Sequence, residues 1–254
     1  MSRLNQLFEN KKNILSVYFT SGYPKLDSTA GVIRSLVKNG VDLIEVGFPF
    51  SDPLADGPVI QQSSVVALQN GISTKVILDQ LKDIRRETEV PLIAMGYLNP
   101  IMQYGVENFL RDIAAIGFDG VILPDLPIDV YQQEYAAMFE KYGLKMIFLI
   151  TPQTSDERIR MIDSISDGFI YMVSSASTTG AKEAVADDQE RYFKRIAAMN
   201  LKTPLLIGFG ISNKATFSKA CEYASGAIVG SAYIKAIGQN EVEAATEAFV
   251  QELR

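Results

Sequence analysis

Eight short apolar runs recur along the chain, with segments of helical spacing between them. The runs are 14–20 (ILSVYFT), 42–47 (DLIEVG), 91–97 (PLIAMGY), 120–125 (GVILPD), 145–150 (KMIFLI), 169–174 (FIYMVS), 204–210 (PLLIGFG) and 226–230 (GAIVG). They are continuous rather than alternating, which is the pattern of parallel strands covered on both faces. Residues 28–39 place Val32, Ile33, Leu36 and Val37 on one helical face, and 74–88 do the same with Ile77, Leu78, Leu81 and Ile84. Residues 106–116, 129–142, 156–165, 189–199 and 214–223 read as further helices. Thr154-Ser-Asp-Glu157 suits a helix start, and Gly40, Gly117 and Gly143 fall where helices end. Eight such units in 254 residues predict the α/β class: a single closed (β/α)8 TIM barrel. Residues 2–12 add an extra N-terminal helix expected to cap the barrel floor. No linker or low-complexity stretch interrupts 1–254, so one domain is expected.

Composition narrows the chemistry. With 47% hydrophobic and 21% charged residues the chain is an ordinary globular protein, not a disordered one. It contains no histidine, one cysteine (Cys221) and no tryptophan. The first absence removes Ser-His-Asp and Cys-His catalysis, His-ligated metals and the commonest general base near neutral pH. One cysteine forms no internal disulfide and no four-cysteine zinc site, which fits a reducing compartment. A net charge of −6 argues against nucleic acid as a partner. No apolar run is long enough to span a membrane, and the first residues lack the apolar core of a signal peptide, so a cytoplasmic protein is expected.

In a barrel of this kind, function gathers where strands run into the following loops. Those exits carry Thr20, Glu45, Tyr97, Asn99, Asp125, Tyr171, Gly210 and Gly230-Ser231. Glu45, inside an apolar strand, is either a buried carboxylate paired with Lys or Arg, or a proton-transfer group with a raised pKa. Asp56 before Gly57-Pro58 is either a turn cap or a second acid, and Asp52 reads as a turn former. Asp125 in Leu-Pro-Asp-Leu-Pro is either catalytic or loop-fixing. The glycine-bearing exits 208–212 and 226–231, adjacent after strands 7 and 8, suit a phosphate cradle. Residues 174–187 form a long small-residue segment, either a connector or a lid over the mouth. Tyr97, Tyr171 and Phe209 either wall a pocket or belong to the core. No strand exit carries a lysine, which disfavours a Schiff-base aldolase.

Glu45-Val-Gly-Phe-Pro-Phe-Ser-Asp-Pro-Leu-Ala-Asp-Gly-Pro-Val-Ile-Gln61 closely resembles the signature of the tryptophan synthase alpha chain family. The resemblance continues in order through Gly96-Tyr-Leu-Asn-Pro100, Leu123-Pro-Asp-Leu-Pro127, Thr178-Thr-Gly180, Gly208-Phe-Gly-Ile-Ser212 and Gly230-Ser231. It implies a lyase that cleaves indole-3-glycerol phosphate, a small phosphate substrate, into indole and glyceraldehyde 3-phosphate. It implies no cofactor in this chain and a beta-chain partner carrying pyridoxal phosphate, in an alpha2beta2 heterotetramer. By motif position the resemblance assigns catalysis to Glu45 and Asp56, with Tyr171 approaching the glutamate. It assigns phosphate binding to Gly180, Gly210, Gly230 and Ser231, and places Tyr18 and Thr20 near the substrate. Tyr97, Thr179 and Phe209 complete the expected substrate-binding set. Ser177 and Thr178 depart from the family, which usually has glycine and valine there, and Tyr18 stands where phenylalanine is common. Alternatives are a stand-alone lyase, a catalytically weakened allosteric subunit and a related phosphate-binding isomerase barrel.

Overall fold

The computed structural model describes residues 2–174, 182–208 and 210–254. Eight parallel strands close into a barrel in sequence order: β1 (Ile14–Thr20), β2 (Leu43–Gly47), β3 (Leu92–Met95), β4 (Gly120–Ile122), β5 (Lys145–Ile150), β6 (Ile170–Val173), β7 (Leu205–Gly208) and β8 (Gly226–Val229). The ring closes where Ile14 pairs with Gly226 and Ser16 with Ile228. Around it lie α1 (Arg3–Asn10), α2 (Ser28–Lys38), α3 (Pro58–Gln69), α4 (Thr74–Leu81), α5 (Leu98–Tyr104), α6 (Val106–Ile116) and α7 (Ile128–Val130). The ring of helices continues with α8 (Ala136–Tyr142), α9 (Asp156–Ile165), α10 (Lys182–Ala198), α11 (Lys214–Cys221), α12 (Ser231–Gln239) and α13 (Val242–Leu253).

The continuous apolar runs resolve into two cores because strand side chains alternate between faces. Leu15, Val17, Ile44, Val46, Leu92, Met146, Ile170 and Ile207 point outward and join the buried faces of the surrounding helices. Ile14, Leu43, Ile93, Ile122, Ile147, Phe169, Leu206 and Ile228 point inward and fill the barrel. The floor is closed by α1, as expected. Its N-cap Ser2 accepts a hydrogen bond from the Asn5 N–H at 3.2 Å, and Leu4 enters the inner core with Leu7 and Phe8 against it. Phe8 meets Phe169 at 5.7 Å between ring centroids, and Arg3 donates to Gly117 O at 2.8 Å and pairs with Asp119 at 3.1 Å.

All eight predicted strands are present, most of them shorter at the exit than the apolar run. β3 stops at Met95 and β4 at Ile122, because the residues beyond peel away into loops over the mouth. Helices differ more. The segment predicted over 74–88 ends at Leu81 and continues as a 3₁₀ turn, Ile84–Arg86, while 129–142 is interrupted by a π-turn, Tyr131–Tyr135. The segment expected as a loop to residue 187 is helical from Lys182. Lys-Glu-Ala-Val-Ala is a run of mostly good helix formers without an apolar stripe to announce it. The expected lid otherwise lies outside the described residues. Periodicity does not announce helices α3, α5, α12 and α13; the buried face of α3 includes Ser63 and Ser64, which dilute its stripe.

Candidate active site

Inward positions near the C-terminal ends of the strands remain open above the filled layers. They border a cavity of about 620 Å³ lined by Tyr18, Glu45, Asp56, Met95, Tyr171, Gly210, Gly230 and Ser231, among others. Strand register explains the gathering. Tyr18 pairs with Glu45 across β1 and β2, so both sit one layer above the packed Ser16 and Leu43. Tyr171 stands one layer above Phe169 on β6.

Glu45 is 0% exposed and has no lysine or arginine within ion-pair range among the described residues. Its Oε1 accepts a hydrogen bond from the Ser16 hydroxyl at 3.0 Å. Its Oε2 is buried with no hydrogen-bond partner among the described residues. Burial pushes the carboxyl up to about 8, against the opposing pull of the Ser16 donor. Of the two readings of Glu45, the structural ion pair is not found among the described residues.

Asp56 lies on the loop that follows β2, half-buried at the cavity wall. The Tyr97 hydroxyl donates to its Oδ2 at 3.0 Å and accepts from the Ala55 N–H at 3.0 Å, which ties the loop to the barrel. The Asp56 carbonyl accepts from the Gln61 side chain at 2.9 Å, and Pro58 opens α3 directly behind it. Burial raises the Asp56 carboxyl to about 6, with the Tyr97 donor opposing. Two carboxyl groups thus share a cavity in different protonation states near neutral pH.

Two tyrosines flank the glutamate, each leaning over a glycine. A Cβ on Gly47 would lie 2.7 Å from Tyr18 Cζ, and one on Gly208 would lie 2.5 Å from Tyr171 Cε1. No side chain fits at either position without moving a buried ring. Burial, reinforced by nearby acids, holds both phenols well above the usual tyrosine range. They stay neutral and shape the pocket without adding charge.

The far wall is α12, whose N-cap is Gly230 with no side-chain cap. The first N–H groups of a helix have no partner within it, so those of Ser231 and Ala232 are donors at the cavity edge. Gly210, Ile211 and Ser212 border the same end. One cavity thus brings two acids and the backbone donors of a helix start together, a lining suited to a ligand that carries an anionic group.

Residues 4–253 match the family model described as tryptophan synthase alpha chain. The chain belongs to that family. The tryptophan synthase alpha chain of Flavobacterium johnsoniae is 58% identical over 254 residues, covering all of both chains. That of Bacteroides thetaiotaomicron is 59% identical over 235 residues, 92% of each. Among solved structures, tryptophan synthase subunit alpha from Legionella pneumophila superposes with a TM-score of 0.89 at 35% identity, covering 100% of this chain and 97% of that one. The aminoacrylate-bound tryptophan synthase from M. tuberculosis gives 0.87 at 32% identity, covering 100% and 98%. Family membership makes this chain a lyase component of tryptophan synthase, in tryptophan biosynthesis.

Of the residues expected at the site, Glu45, Asp56, Tyr171, Tyr18, Gly210, Gly230 and Ser231 border one cavity. Thr20 and Tyr97 stand behind it: Thr20 meets the Ser63 hydroxyl at 2.7 Å, and Tyr97 supports Asp56. Thr179, Gly180 and Phe209 lie outside the described residues, as do Ser177 and Thr178. Asp125 accepts the Leu98 N–H at 3.0 Å and fixes the start of α5. Asp52 sits in a turn, its carbonyl accepting from Leu54 N at 3.0 Å. Sequence reasoning missed Ser16, the hydrogen-bond partner of Glu45. The signal was available, since Ser16 is a polar residue within the apolar run of β1, as Glu45 is within β2.

Proposed function

We propose that Glu45 and Asp56 carry out the retro-aldol cleavage of indole-3-glycerol phosphate, with Glu45 moving the protons. The protonated Glu45 gives its proton to C3 of the indole ring, and positive charge appears at the ring nitrogen. Ionised Asp56 accepts the ring N–H and stabilises that charge. The Glu45 carboxylate then takes the proton of the hydroxyl on the carbon attached to C3. The O–H electron pair becomes the carbonyl of glyceraldehyde 3-phosphate. The breaking C–C pair returns to the ring, restores neutral indole and leaves Glu45 protonated. The substrate supplies its own electron sink, so this scheme calls for no lysine imine and no cofactor on this chain. The observation that carries the reading is the buried Glu45 carboxyl, unpaired at Oε2 and pushed up to about 8, beside an Asp56 at about 6. Carboxyl groups set apart in this way hold different protonation states at one pH, so that Glu45 has a proton to give while Asp56 is ionised.

Gly210, Gly230 and Ser231, with the free N–H groups of α12, are proposed to hold the phosphate and orient the substrate. Thr179, Gly180 and Phe209 belong to the same proposal through the resemblance alone. Tyr171 and Tyr18 would wall the ring, with Tyr97 and Thr20 supporting them from behind. A beta chain that carries pyridoxal phosphate and consumes the indole, in an alpha2beta2 heterotetramer, is proposed as the partner. Leu54 at 93% exposure and Met102 at 56%, both beyond strand exits at the mouth, support docking there. No helix among the described residues is long and apolar enough to cross a membrane, and we propose a cytoplasmic location.

The test is incubation with indole-3-glycerol phosphate, with and without a beta chain, following indole. Glu45→Gln is expected to abolish indole release and leave substrate binding largely intact. Substantial turnover by that variant overturns the proton-transfer role.

A further inference from the structure

Ser16 lies inward on β1, fully buried, paired across the sheet with Leu43 on one side and Ile228 on the other. A hydroxyl in so apolar a layer costs stability unless it finds a partner. Its partner is Oε1 of Glu45, at 3.0 Å. The second carboxyl oxygen, Oε2, has none among the described residues. The bond is available in both protonation states. Oε1 accepts when Glu45 is ionised, and it accepts as the carbonyl oxygen when the proton sits on Oε2.

We propose that Ser16 is a positioning residue for proton transfer, pinning Oε1 and leaving Oε2 as the oxygen that gives and takes the proton. The inference rests on the proposed role of Glu45. Terminal torsions of glutamate are broad and roughly two-fold, so an unpinned carboxyl interchanges its oxygens. With Ser16 in place, the proton leaves Oε2 for C3 and the hydroxyl proton returns to Oε2 without rotation of the carboxyl. The hydroxyl also steadies the ionised form that exists between the two transfers. The other titratable groups around Glu45 are Tyr18 on the same strand as Ser16, Tyr171 on β6 and Asp56 on the loop after β2. Both tyrosines remain neutral across the range in which Glu45 titrates. Lys235 and Glu252 border the cavity from α12 and α13, both exposed to solvent.

The test compares Ser16→Ala and Ser16→Thr with the unaltered protein. The readouts are kcat and KM for indole-3-glycerol phosphate across pH, and the infrared carboxyl band of Glu45 in the ligand-free protein, assigned with Glu45→Gln. Ser16→Ala is expected to lower kcat about tenfold with KM little changed, because it removes one hydrogen bond to a charged group. The alkaline limb and the infrared titration should both move up by about one pH unit, since the ionised form has lost its donor. Ser16→Thr, which keeps the hydroxyl, should restore both. Ser16→Cys fills the space with a weaker donor and should fall between, so the test does not hang on the alanine variant folding. An inactive Glu45→Gln together with an unmoved Ser16→Ala titration and unchanged kcat overturns the Ser16 inference alone. An active Glu45→Gln overturns the Glu45 role and the inference with it.

Discussion

Replacing Tyr97 by phenylalanine probes the ionisation of Asp56 without removing the acid itself. The phenol donates to Asp56 Oδ2 at 3.0 Å and opposes the burial that lifts this carboxyl to about 6. A hydrogen bond to a charged group contributes about 1.5–3 kcal/mol. Asp56 is only half-buried, so water replaces part of the lost bond, and a net loss of about 1.4 kcal/mol moves its titration up by about one pH unit. At pH 7 the ionised share of Asp56 then falls from about nine-tenths to about half, and at pH 6 from about half to about one-tenth. If the ionised form is the one that stabilises charge on the ring nitrogen, kcat/KM falls about twofold at pH 7 and about fivefold at pH 6. Above pH 8 the ratio to the unaltered protein should return towards one. The assay is indole release at saturating and sub-saturating substrate from pH 5.5 to 9. A deficit of the same size at every pH refutes the reasoning. It would mean that Tyr97 matters through its hold on the Ala55 N–H, as a brace for the loop, and not through the charge on Asp56.

Glu45 also carries a stability cost with a definite pH dependence. An acid raised in the folded state favours folding fully below its unfolded value, here 4.5, and that contribution is lost as pH rises towards about 8. The stability difference between Glu45→Gln and the unaltered protein should therefore grow in favour of glutamine between pH 5 and pH 8, by at most about 3.5 kcal/mol. Thermal melts across that range check it, and a pH-independent difference would show that the carboxyl titrates normally. Gly208→Ala should cost about 1–3 kcal/mol and lower kcat, because its Cβ would lie 2.5 Å from a ring carbon of buried Tyr171. Gly31→Ala on α2, where nothing lies within 4 Å, is the control and should be neutral or stabilising.

The strands were legible because burial on both faces leaves a run of apolar residues that nothing else in the chain imitates. Helices were legible in proportion to their stripe. α6, with Phe109, Leu110, Ile113 and Ile116 buried on one face, is predicted to the residue, whereas α3 hides behind serines and α10 begins in charged residues. At the site, Glu45 stood out as a charge in an apolar strand. Its unpaired Oε2 was not legible, because an ion pair and a lone acid have the same sequence. Thr20 and Tyr97 show the converse limit. Position at a strand exit identifies the layer but not whether a side chain faces the cavity or the wall behind it. Ser16 belongs to a lower layer, and only the cross-strand register brings it beneath Glu45.

The floor helix has a consequence for how the chain reaches this state. Leu4, Leu7 and Phe8 of α1 belong to the inner core that includes Ile147, Phe169 and Leu206 far along the chain, Phe8 meets Phe169, and Arg3 pairs with Asp119. The helix is made before any strand, yet its docking site is incomplete until β5, β6 and β7 are in place. During synthesis it must wait with three apolar side chains uncovered, and its contacts are among the most non-local in the molecule, the kind that form late. Pulse-labelling hydrogen exchange during refolding should find the α1 amides protected after those of β1 and β2; earlier protection would mean the helix first docks elsewhere. The element that seals the barrel from below is thus written before every strand it seals and is among the last to settle.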